Sequence, residues 1–204
     1  MKFGFDLDNT IFDYTAVLTF IGEHDSRLSS LQNKNKADIK HYLQTNFGKD
    51  AWTELQGDIY TKYLHKVEKP TIAKKLLTDL SEQNQVYVFS HKTQYPIIGP
   101  RVDMREAAIL TLEAFGFPLG KEDGAIEINF FNTVKEKVQA VESANLNFYL
   151  DDLPEILNQL TNKSNNLGYF NPDTNLHSKS PYIEFRSWIE VDLYMRREFL
   201  HERP

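Results

Sequence analysis

The sequence predicts an α/β fold, a doubly wound parallel sheet with a small helical unit inserted after the first strand. Short apolar runs rich in β-branched and aromatic residues alternate with segments whose apolar residues recur at helix spacing. A length of 204 residues also suits one core domain with a modest insertion. We expect residues 1 to 13 and 81 to 204 to form the core and residues 14 to 80 to form the insertion.

Five short runs predict the strands. In residues 2 to 7, Phe3, Phe5 and Leu7 alternate with small or polar residues, which is the period-2 pattern of a strand. The other strand candidates are residues 85 to 89, 125 to 131, 147 to 150 and 167 to 170. Each is bounded by the Gly, Pro, Asn or Asp residues typical of loops.

Helix-period apolar residues predict helices between these strands. Before the second strand, the candidate segments are residues 14 to 32, 35 to 48, 50 to 69 and 71 to 80. Further along the chain, capping signals at Asp103, Thr133 and Ser187 and a proline at position 154 predict four more helix starts. Strands that alternate with helices in this way are typical of a parallel sheet covered on both faces.

Composition and charge exclude several classes of function. The formal net charge is -6 and the basic residues are dispersed, which argues against a nucleic-acid partner because such binding depends on clustered Lys and Arg. The absence of cysteine excludes disulfides, thiolate chemistry and cysteine-ligated metals. No apolar run approaches the roughly 18 residues of a membrane span and no secretory pattern opens the chain, so we expect a cytoplasmic protein without membrane contact.

Polar residues stand at the carboxyl ends of three predicted strands. They are Asp6 and Asp8 after the first strand, Ser90 after the second, and Asp151 and Asp152 after the fourth. In an open α/β sheet, ligands bind beyond these strand ends, so the five side chains are expected to converge on one cleft.

Converging carboxylates repel one another, by about 1 kcal/mol per pair at 4 Å in water and by about 4 kcal/mol at an effective dielectric of 20. A bound cation offsets this repulsion. Oxygen ligands without cysteine or paired histidine favour a hard ion, and Mg²⁺ commonly completes its octahedron with water and substrate phosphate. We therefore expect Mg²⁺ and a phosphorylated substrate.

These residues resemble the four motifs of the haloacid dehalogenase-like hydrolases, in the same order along the chain. DLDNT, residues 6 to 10, looks like the first motif, Ser90 like the second, Lys135 or Lys137 like the third, and Asp151-Asp152 like the fourth. The resemblance covers residues 3 to 155. It implies a Rossmann-like core, and residues 14 to 80 resemble the small helical (C1-type) cap that such enzymes place over the cleft.

The resemblance also implies roles for the residues. Asp6 would be the nucleophile that forms an aspartyl-phosphate, and Asp8 would be the general acid and base. Asp6, the backbone carbonyl of Asp8, Asp151 and Asp152 would hold Mg²⁺. Ser90 and Lys135 would bind the phosphoryl oxygens; Lys137 is the alternative lysine, and the family pattern favours Lys135.

The function implied is a Mg²⁺-dependent phosphatase acting on a small phosphorylated metabolite, with a sugar phosphate favoured over a nucleotide on general grounds only. A phosphomutase or phosphotransferase of the same family is the alternative; Asp8 argues against dehalogenation, which needs no acid. A phospho-accepting signalling or binding protein also combines strand-end acids, a hydroxyl and a lysine, but orders them differently. A metal-holding DxD site of the glycosyltransferase kind would not open the first strand.

Two further questions stay open in the sequence. His91, Lys92 and Arg101 lie near the phosphate end of the cleft, and we expect one of them to touch substrate. The aromatic residues of the last helix, Trp188 and Tyr194 with Phe199, are expected to pack on the core, while a homodimer through this helix is the alternative.

Overall fold

The structure, a computed structural model, describes residues 1–32, 36–160, 166–172 and 181–200. Its centre is a parallel sheet of six strands with the order β3-β2-β1-β4-β5-β6. The strands are β1 (Lys2–Asp6), β2 (Gln85–His91), β3 (Ile126–Phe131), β4 (Phe148–Asp151), β5 (Asn166–Phe170) and β6 (Ile183–Phe185). The five predicted strands are present, and β6 is an addition at the sheet edge.

The first strand lies in the middle of the sheet. Phe3 pairs with Val86 of β2 on one side and with Phe148 of β4 on the other. Phe3 and Phe5 are fully buried, as expected for a strand covered on both faces. Because successive strands are added first on one side of β1 and then on the other, the carboxyl ends of β1 and β4 form the switch point of the sheet, where ligands bind in such folds.

Helices cover both faces of the sheet, as predicted. The helices are α1 (Thr15–His24), α2 (Lys36–Phe47), α3 (Lys49–Asp58), α4 (Thr71–Ser81), α5 (Met104–Ala114), α6 (Val134–Ala144), α7 (Pro154–Leu160) and α8 (Trp188–Met195). On one face α4 and α8 pack together, and on the other α6 packs beside α7. Each layer buries its own apolar cluster, so the fold is doubly wound.

The helices α1 to α3 pack mainly on one another and form the inserted unit. A π-helical turn, Ile59–Tyr63, continues α3 and leads through a short 3₁₀ turn back towards the core. The next helix, α4, packs against β2 and β3, and therefore belongs to the sheet layer. The predicted boundary at residue 80 falls inside this helix, and we propose that the cap ends before Thr71.

The aromatic residues near the carboxyl end pack on the sheet of the same chain. Trp188 packs against Phe5, and Phe199 packs edge-on against Phe3 with a centroid distance of 5.1 Å. Tyr194 contacts Phe148. These contacts give the aromatic residues a role in the core, as predicted. Among the described helices, none combines the length and the apolar character needed to cross a bilayer.

Candidate active site

A tight turn after β1 carries the first two acids. Asn9 adopts φ 60°, in the left-handed region that Asn tolerates better than most residues. The backbone N–H of Phe12 donates to the carbonyl of Leu7 at 2.8 Å, and Leu7 and Phe12 are fully buried. The turn is thus anchored in the core, and it presents Asp6 and Asp8 at the strand end.

A buried lysine joins the first and last strand-end acids. Lys137 Nζ lies 2.5 Å from Asp6 Oδ1 and 2.7 Å from Asp151 Oδ2, and its side chain is 2% exposed. Burial disfavours the charged ammonium, but the two carboxylates outweigh this effect and raise the pKa of Lys137. Lys137 therefore neutralises part of the negative charge that the strand ends bring together.

Of the two lysines that the sequence offered for the third motif, Lys137 rather than Lys135 reaches the acids, and we propose Lys137 as the motif lysine. Helix α6 begins with a capping box between Thr133 and Glu136, which fixes the orientation of its first turn. Lys137 and Val138 then face the sheet, whereas Lys135 is exposed. Sequence spacing alone leaves the two lysines equivalent candidates, because the orientation of the turn depends on where the cap bonds form.

Two of the acids differ in how fully their oxygens are bonded. Asp151 accepts hydrogen bonds from the Tyr149 hydroxyl at 2.6 Å and from the Leu153 N–H at 2.9 Å, besides its ion pair with Lys137. The Oδ2 atom of Asp6 is buried and has no hydrogen-bond partner. Burial raises the pKa of Asp6, Lys137 lowers it in part, and the neighbouring acids raise it further. An unsatisfied buried carboxylate oxygen is costly, which indicates a ligand at this position.

The donor set fits a hard divalent cation. Asp6, Asp151 and Asp152 each offer a carboxylate oxygen, and the three oxygens lie within 4.8 Å of one another. Burial and the charge of Asp151 raise the pKa of Asp152 to about 7, the mark of an acid crowded by like charge. Mg²⁺ prefers such oxygen ligands, and its charge would relieve this crowding.

Asp8 receives hydrogen bonds on both carboxylate oxygens. Lys92 Nζ donates to Oδ2 at 2.7 Å and Ser90 Oγ donates to the same atom at 3.2 Å. The hydroxyl of Tyr14 lies 2.6 Å from Oδ1, and the hydroxyl of Tyr60 also donates to Oδ1. Burial opposes the charged form, but Lys92 and these hydrogen bonds outweigh it and lower the pKa of Asp8.

Of the three basic residues singled out near the phosphate end, Lys92 reaches the acids. His91 lines the cleft, and one of its ring nitrogens lies 3.1 Å from the carbonyl oxygen of Asn132. Arg101 lies over the ring of Tyr95 and is not among the residues that line the cleft. No sequence motif marks Tyr60 as a residue of this site, because its contact with Asp8 depends on how the inserted helices fold back over the strand ends.

A cleft of about 510 Å³ opens between the strand ends and the inserted helices. Carboxylates and lysines line its inner end. Away from them the lining is mainly apolar and is formed by Leu18, Trp52, Ile59, Ile97 and Met104. The same region contributes the polar side chains of Thr53 and Gln56. The cleft therefore joins a charged end to a part that is mainly apolar but also carries polar side chains, among them Thr53, Gln56, Thr93 and Asn132.

Comparison with proteins of known structure assigns the fold. The chain superimposes on the Bacillus subtilis protein YfnB, provisionally named a HAD-hydrolase and solved with bound magnesium, with a TM-score of 0.57 and 18% identity over 93% of this chain and 96% of that one. A provisionally named haloacid dehalogenase-like hydrolase from Burkholderia xenovorans gives a TM-score of 0.55 and 15% identity over 98% and 97%. The chain has the haloacid dehalogenase-like fold. The resemblance drawn from the motifs is thus confirmed for the fold.

A relative that aligns over its whole length also shares sequence with this chain. It is a Bacillus cereus protein provisionally named a nucleotidase, 27% identical in an alignment of 213 positions, gaps included, that covers 97% of this chain and all of the relative. No protein-family profile matches the chain. Within the haloacid dehalogenase-like fold, the switch-point end of the sheet carries Asp6, Asp8, Ser90, Asp151 and Asp152 together, with Lys137 and Lys92 among them.

Proposed function

We propose that the protein is a Mg²⁺-dependent phosphatase that hydrolyses a small phosphorylated metabolite through an aspartyl-phosphate. The observation that carries this proposal is the buried, unpaired Oδ2 of Asp6, which stands beside two further acids and a buried lysine. One carboxylate with an unsatisfied oxygen, next to a cation site and compensating positive charge, is what a nucleophile for phosphorus requires. The fold and the relatives support a hydrolase.

In the first step, a carboxylate oxygen of Asp6 attacks the phosphorus atom and the bond from phosphorus to the substrate oxygen breaks. The departing alkoxide takes a proton from the carboxyl of Asp8 and leaves as an alcohol. Asp8 is ionised in the free site, and the negative charge of a bound phosphate next to it favours its protonated form. The product of this step is the aspartyl-phosphate of Asp6.

In the second step, Asp8 accepts a proton from a water molecule as the water oxygen attacks the phosphorus atom. The bond between phosphorus and Asp6 breaks, so that inorganic phosphate leaves and the carboxylate of Asp6 is restored. Asp8 is protonated at the end of this step and loses its proton when phosphate has left, which restores the free site. Ser90 and Lys92 lie at the same carboxylate, which supports a role for both in holding phosphoryl oxygens.

The cation would be held by Asp6, Asp151 and Asp152 with the backbone carbonyl of Asp8. When bound, it supplies positive charge that stabilises the charge on the phosphoryl oxygens. Lys137 lies between Asp6 and Asp151 and offsets part of the repulsion between their carboxylates, which favours keeping the ligand set together.

The outer part of the cleft supports a substrate with a flat or apolar group rather than a sugar alone. A sugar phosphate presents hydroxyls along its whole length, whereas apolar side chains such as Leu18, Trp52 and Ile97 form a large share of this region beside the polar Thr53 and Gln56. An aromatic ring such as Trp52 suits a nucleobase, whose faces stack on aromatic side chains. The relative named a nucleotidase agrees with this choice. We therefore propose nucleoside monophosphates as the first substrates to test.

The inserted helices are proposed to act as a movable cap. They form the wall of the cleft opposite the strand ends, so substrate must pass between the two parts. Movement between domains was described for YfnB with bound magnesium. A closed cap would exclude water other than the attacking molecule and add the residues that recognise the organic part of the substrate.

The test is phosphate release from a panel of nucleoside monophosphates and sugar phosphates, with and without Mg²⁺. The wild type is compared with Asp6→Asn, which keeps the volume and removes the nucleophilic charge, and with Asp123→Asn, the same change at an exposed acid. We expect release that needs Mg²⁺, falls at least about 10³-fold in Asp6→Asn and is unchanged in Asp123→Asn. Equal activity of wild type and Asp6→Asn would contradict the proposal.

Transfer of the phosphoryl group to a second metabolite, without release of phosphate, would assign the chain to the mutase alternative. A long-lived aspartyl-phosphate without turnover would assign it to the phospho-accepting class. Trapping the phosphorylated protein and following its decay in water distinguishes these outcomes.

A further inference from the structure

The hydroxyl of Tyr60 reaches across the cleft to Asp8. Tyr60 belongs to the inserted helices, whereas Asp8 belongs to the turn after β1. The Tyr60 hydroxyl contacts both the Oδ1 atom of Asp8 and the hydroxyl of Tyr14. This contact joins the proposed cap to the side chain that handles the proton in the proposed reaction.

The backbone around Tyr60 is unusual in a way that favours this contact. Helix α3 does not simply end at Asp58, because the next five residues, Ile59–Tyr63, form a π-helical turn. A π turn adds a residue to the helical turn and shifts the direction of the side chains that follow, and such turns are frequent at functional sites. Here Ile59 is buried, while Tyr60 lines the cleft.

The ring of Tyr60 covers the ion pair between Asp8 and Lys92. Lys92 Nζ lies 3.6 Å from the centroid of the Tyr60 ring and 2.7 Å from Asp8 Oδ2. An ammonium over a tyrosine face is favourable, and more so when water is excluded. The ring therefore shields the ion pair while the hydroxyl bonds to the other carboxylate oxygen of Asp8.

We propose that Tyr60 is a positioning residue that couples closure of the cap to the orientation of Asp8. With the cap closed, the Tyr60 hydroxyl fixes one oxygen of Asp8 and leaves the carboxyl in a single orientation towards the leaving oxygen. When the cap moves away, this bond is lost and Asp8 is held by Ser90 and Lys92 of the core and by Tyr14, at the start of the insertion. Proton transfer is then efficient only over a closed cleft.

The catalytic half of this inference rests on the proposed function, whereas the tether between cap and core does not. The alternative is that Tyr60 serves only to pack the cap. These roles use different parts of the side chain, since packing and the contact with Lys92 need the ring but the bond to Asp8 needs the hydroxyl. Tyr60→Phe removes the hydroxyl alone. Tyr63→Phe is the matched control, because Tyr63 lies in the same turn and packs against Phe20 through its ring, which the change to Phe keeps.

The first measurement is kcat/KM with two leaving groups, because this quantity reports the step in which the substrate oxygen departs. One substrate is the alkyl phosphate of the panel that the wild type hydrolyses fastest, whose alkoxide must be protonated. The other is p-nitrophenyl phosphate, whose phenolate departs without a proton. We expect Tyr60→Phe to lower kcat/KM about ten- to hundredfold for the alkyl phosphate and less than about threefold for p-nitrophenyl phosphate. Tyr63→Phe is expected to change neither.

An equal loss with both substrates would overturn the positioning role, because a defect in folding or binding does not depend on the acidity of the leaving group. Absence of activity in the wild type would count against the proposed function instead. The second measurement therefore needs no activity.

The second measurement is amide hydrogen exchange of residues 36 to 58 without substrate, which reports opening of the cap. We expect faster exchange in Tyr60→Phe than in the wild type, a larger increase in Asp8→Ala, which also removes the bonds to Tyr14, Ser90 and Lys92, and no further increase when Tyr60→Phe is added to Asp8→Ala, because the bond between Tyr60 and Asp8 is then already absent. Tyr63→Phe is expected to exchange like the wild type. Unchanged exchange in Tyr60→Phe would overturn the tether, and a fully additive double variant would show that its partner is not Asp8.

Discussion

Lys137 Nζ lies 2.5 Å from Oδ1 of Asp6 in the buried end of the cleft. The lysine comes from the first turns of α6 and the acid from the end of β1, so the contact joins the helix layer to the centre of the sheet. Charge buried in this way is tolerated because each partner compensates the other, and it becomes costly when one partner is removed.

Lys137→Met is expected to lower the free energy of unfolding in Mg²⁺-free buffer by about 3 kcal/mol or more, because it leaves Asp6 and Asp151 without their buried cation. Lys135→Met is the control: the same change at an exposed position is expected to alter stability by about 0.5 kcal/mol or less. Urea unfolding of both variants checks this. Equal effects of the two changes would contradict the assignment of Lys137 as the lysine of the site.

Mg²⁺ is expected to stabilise the folded chain, because it binds a ligand set that unfolding disperses. At ten times its dissociation constant the gain is about 1.4 kcal/mol, reversed by a chelator. Asp152→Asn is expected to weaken Mg²⁺ binding roughly tenfold or more, while Asp123→Asn keeps the wild-type affinity. Thermal unfolding in a Mg²⁺ titration measures both. A wild-type response in Asp152→Asn would remove Asp152 from the ligand set.

Trp188→Phe tests the link between the last helix and the turn that carries Asp8. The indole N–H of Trp188 donates to the carbonyl of Thr10 at 2.8 Å, and Phe keeps an aromatic ring but no donor. We expect a loss of about 1–3 kcal/mol in the free energy of unfolding. Tyr194→Phe, which removes a hydroxyl from the same helix, is the comparison and is expected to cost less. Urea unfolding gives the values, and equal losses would contradict a specific role for the indole bond.

Gly57→Ala tests how closely the cap approaches the loop after β2. A methyl group at this position would lie 2.8 Å from the carbonyl oxygen of Ile98 and 3.0 Å from Cβ of Pro96. Alanine favours a helix over glycine by about 1 kcal/mol, but here α3 must move away from the loop. We expect no gain in stability and a several-fold rise in the KM for phosphate release. A more stable variant with an unchanged KM would show that the loop, rather than α3, gives way.

The alternation of strands and helices was sufficient to predict the fold, because period-2 and helix-period patterns follow directly from which side chains are buried. β6 was not predicted because Ile183–Phe185 has three residues, too few to show the period-2 alternation of a strand. The acids of the site stand at strand ends and were therefore visible in the sequence. The choice of Lys137 over Lys135 and the contact of Tyr60 could not be predicted, since the first depends on the orientation set by the cap of α6 and the second on tertiary closure of the inserted helices.

The central position of β1 has a consequence for how the molecule folds. Phe3 pairs with Val86 and with Phe148. The ribosome therefore synthesises β1 well before β2 and β4, and β1 stays unpaired until those strands have been made. Pairings this distant along the chain slow folding and leave apolar strands unpaired for longer. Phe3 and Phe5, fully buried in the finished sheet, are therefore the side chains most in need of protection during synthesis.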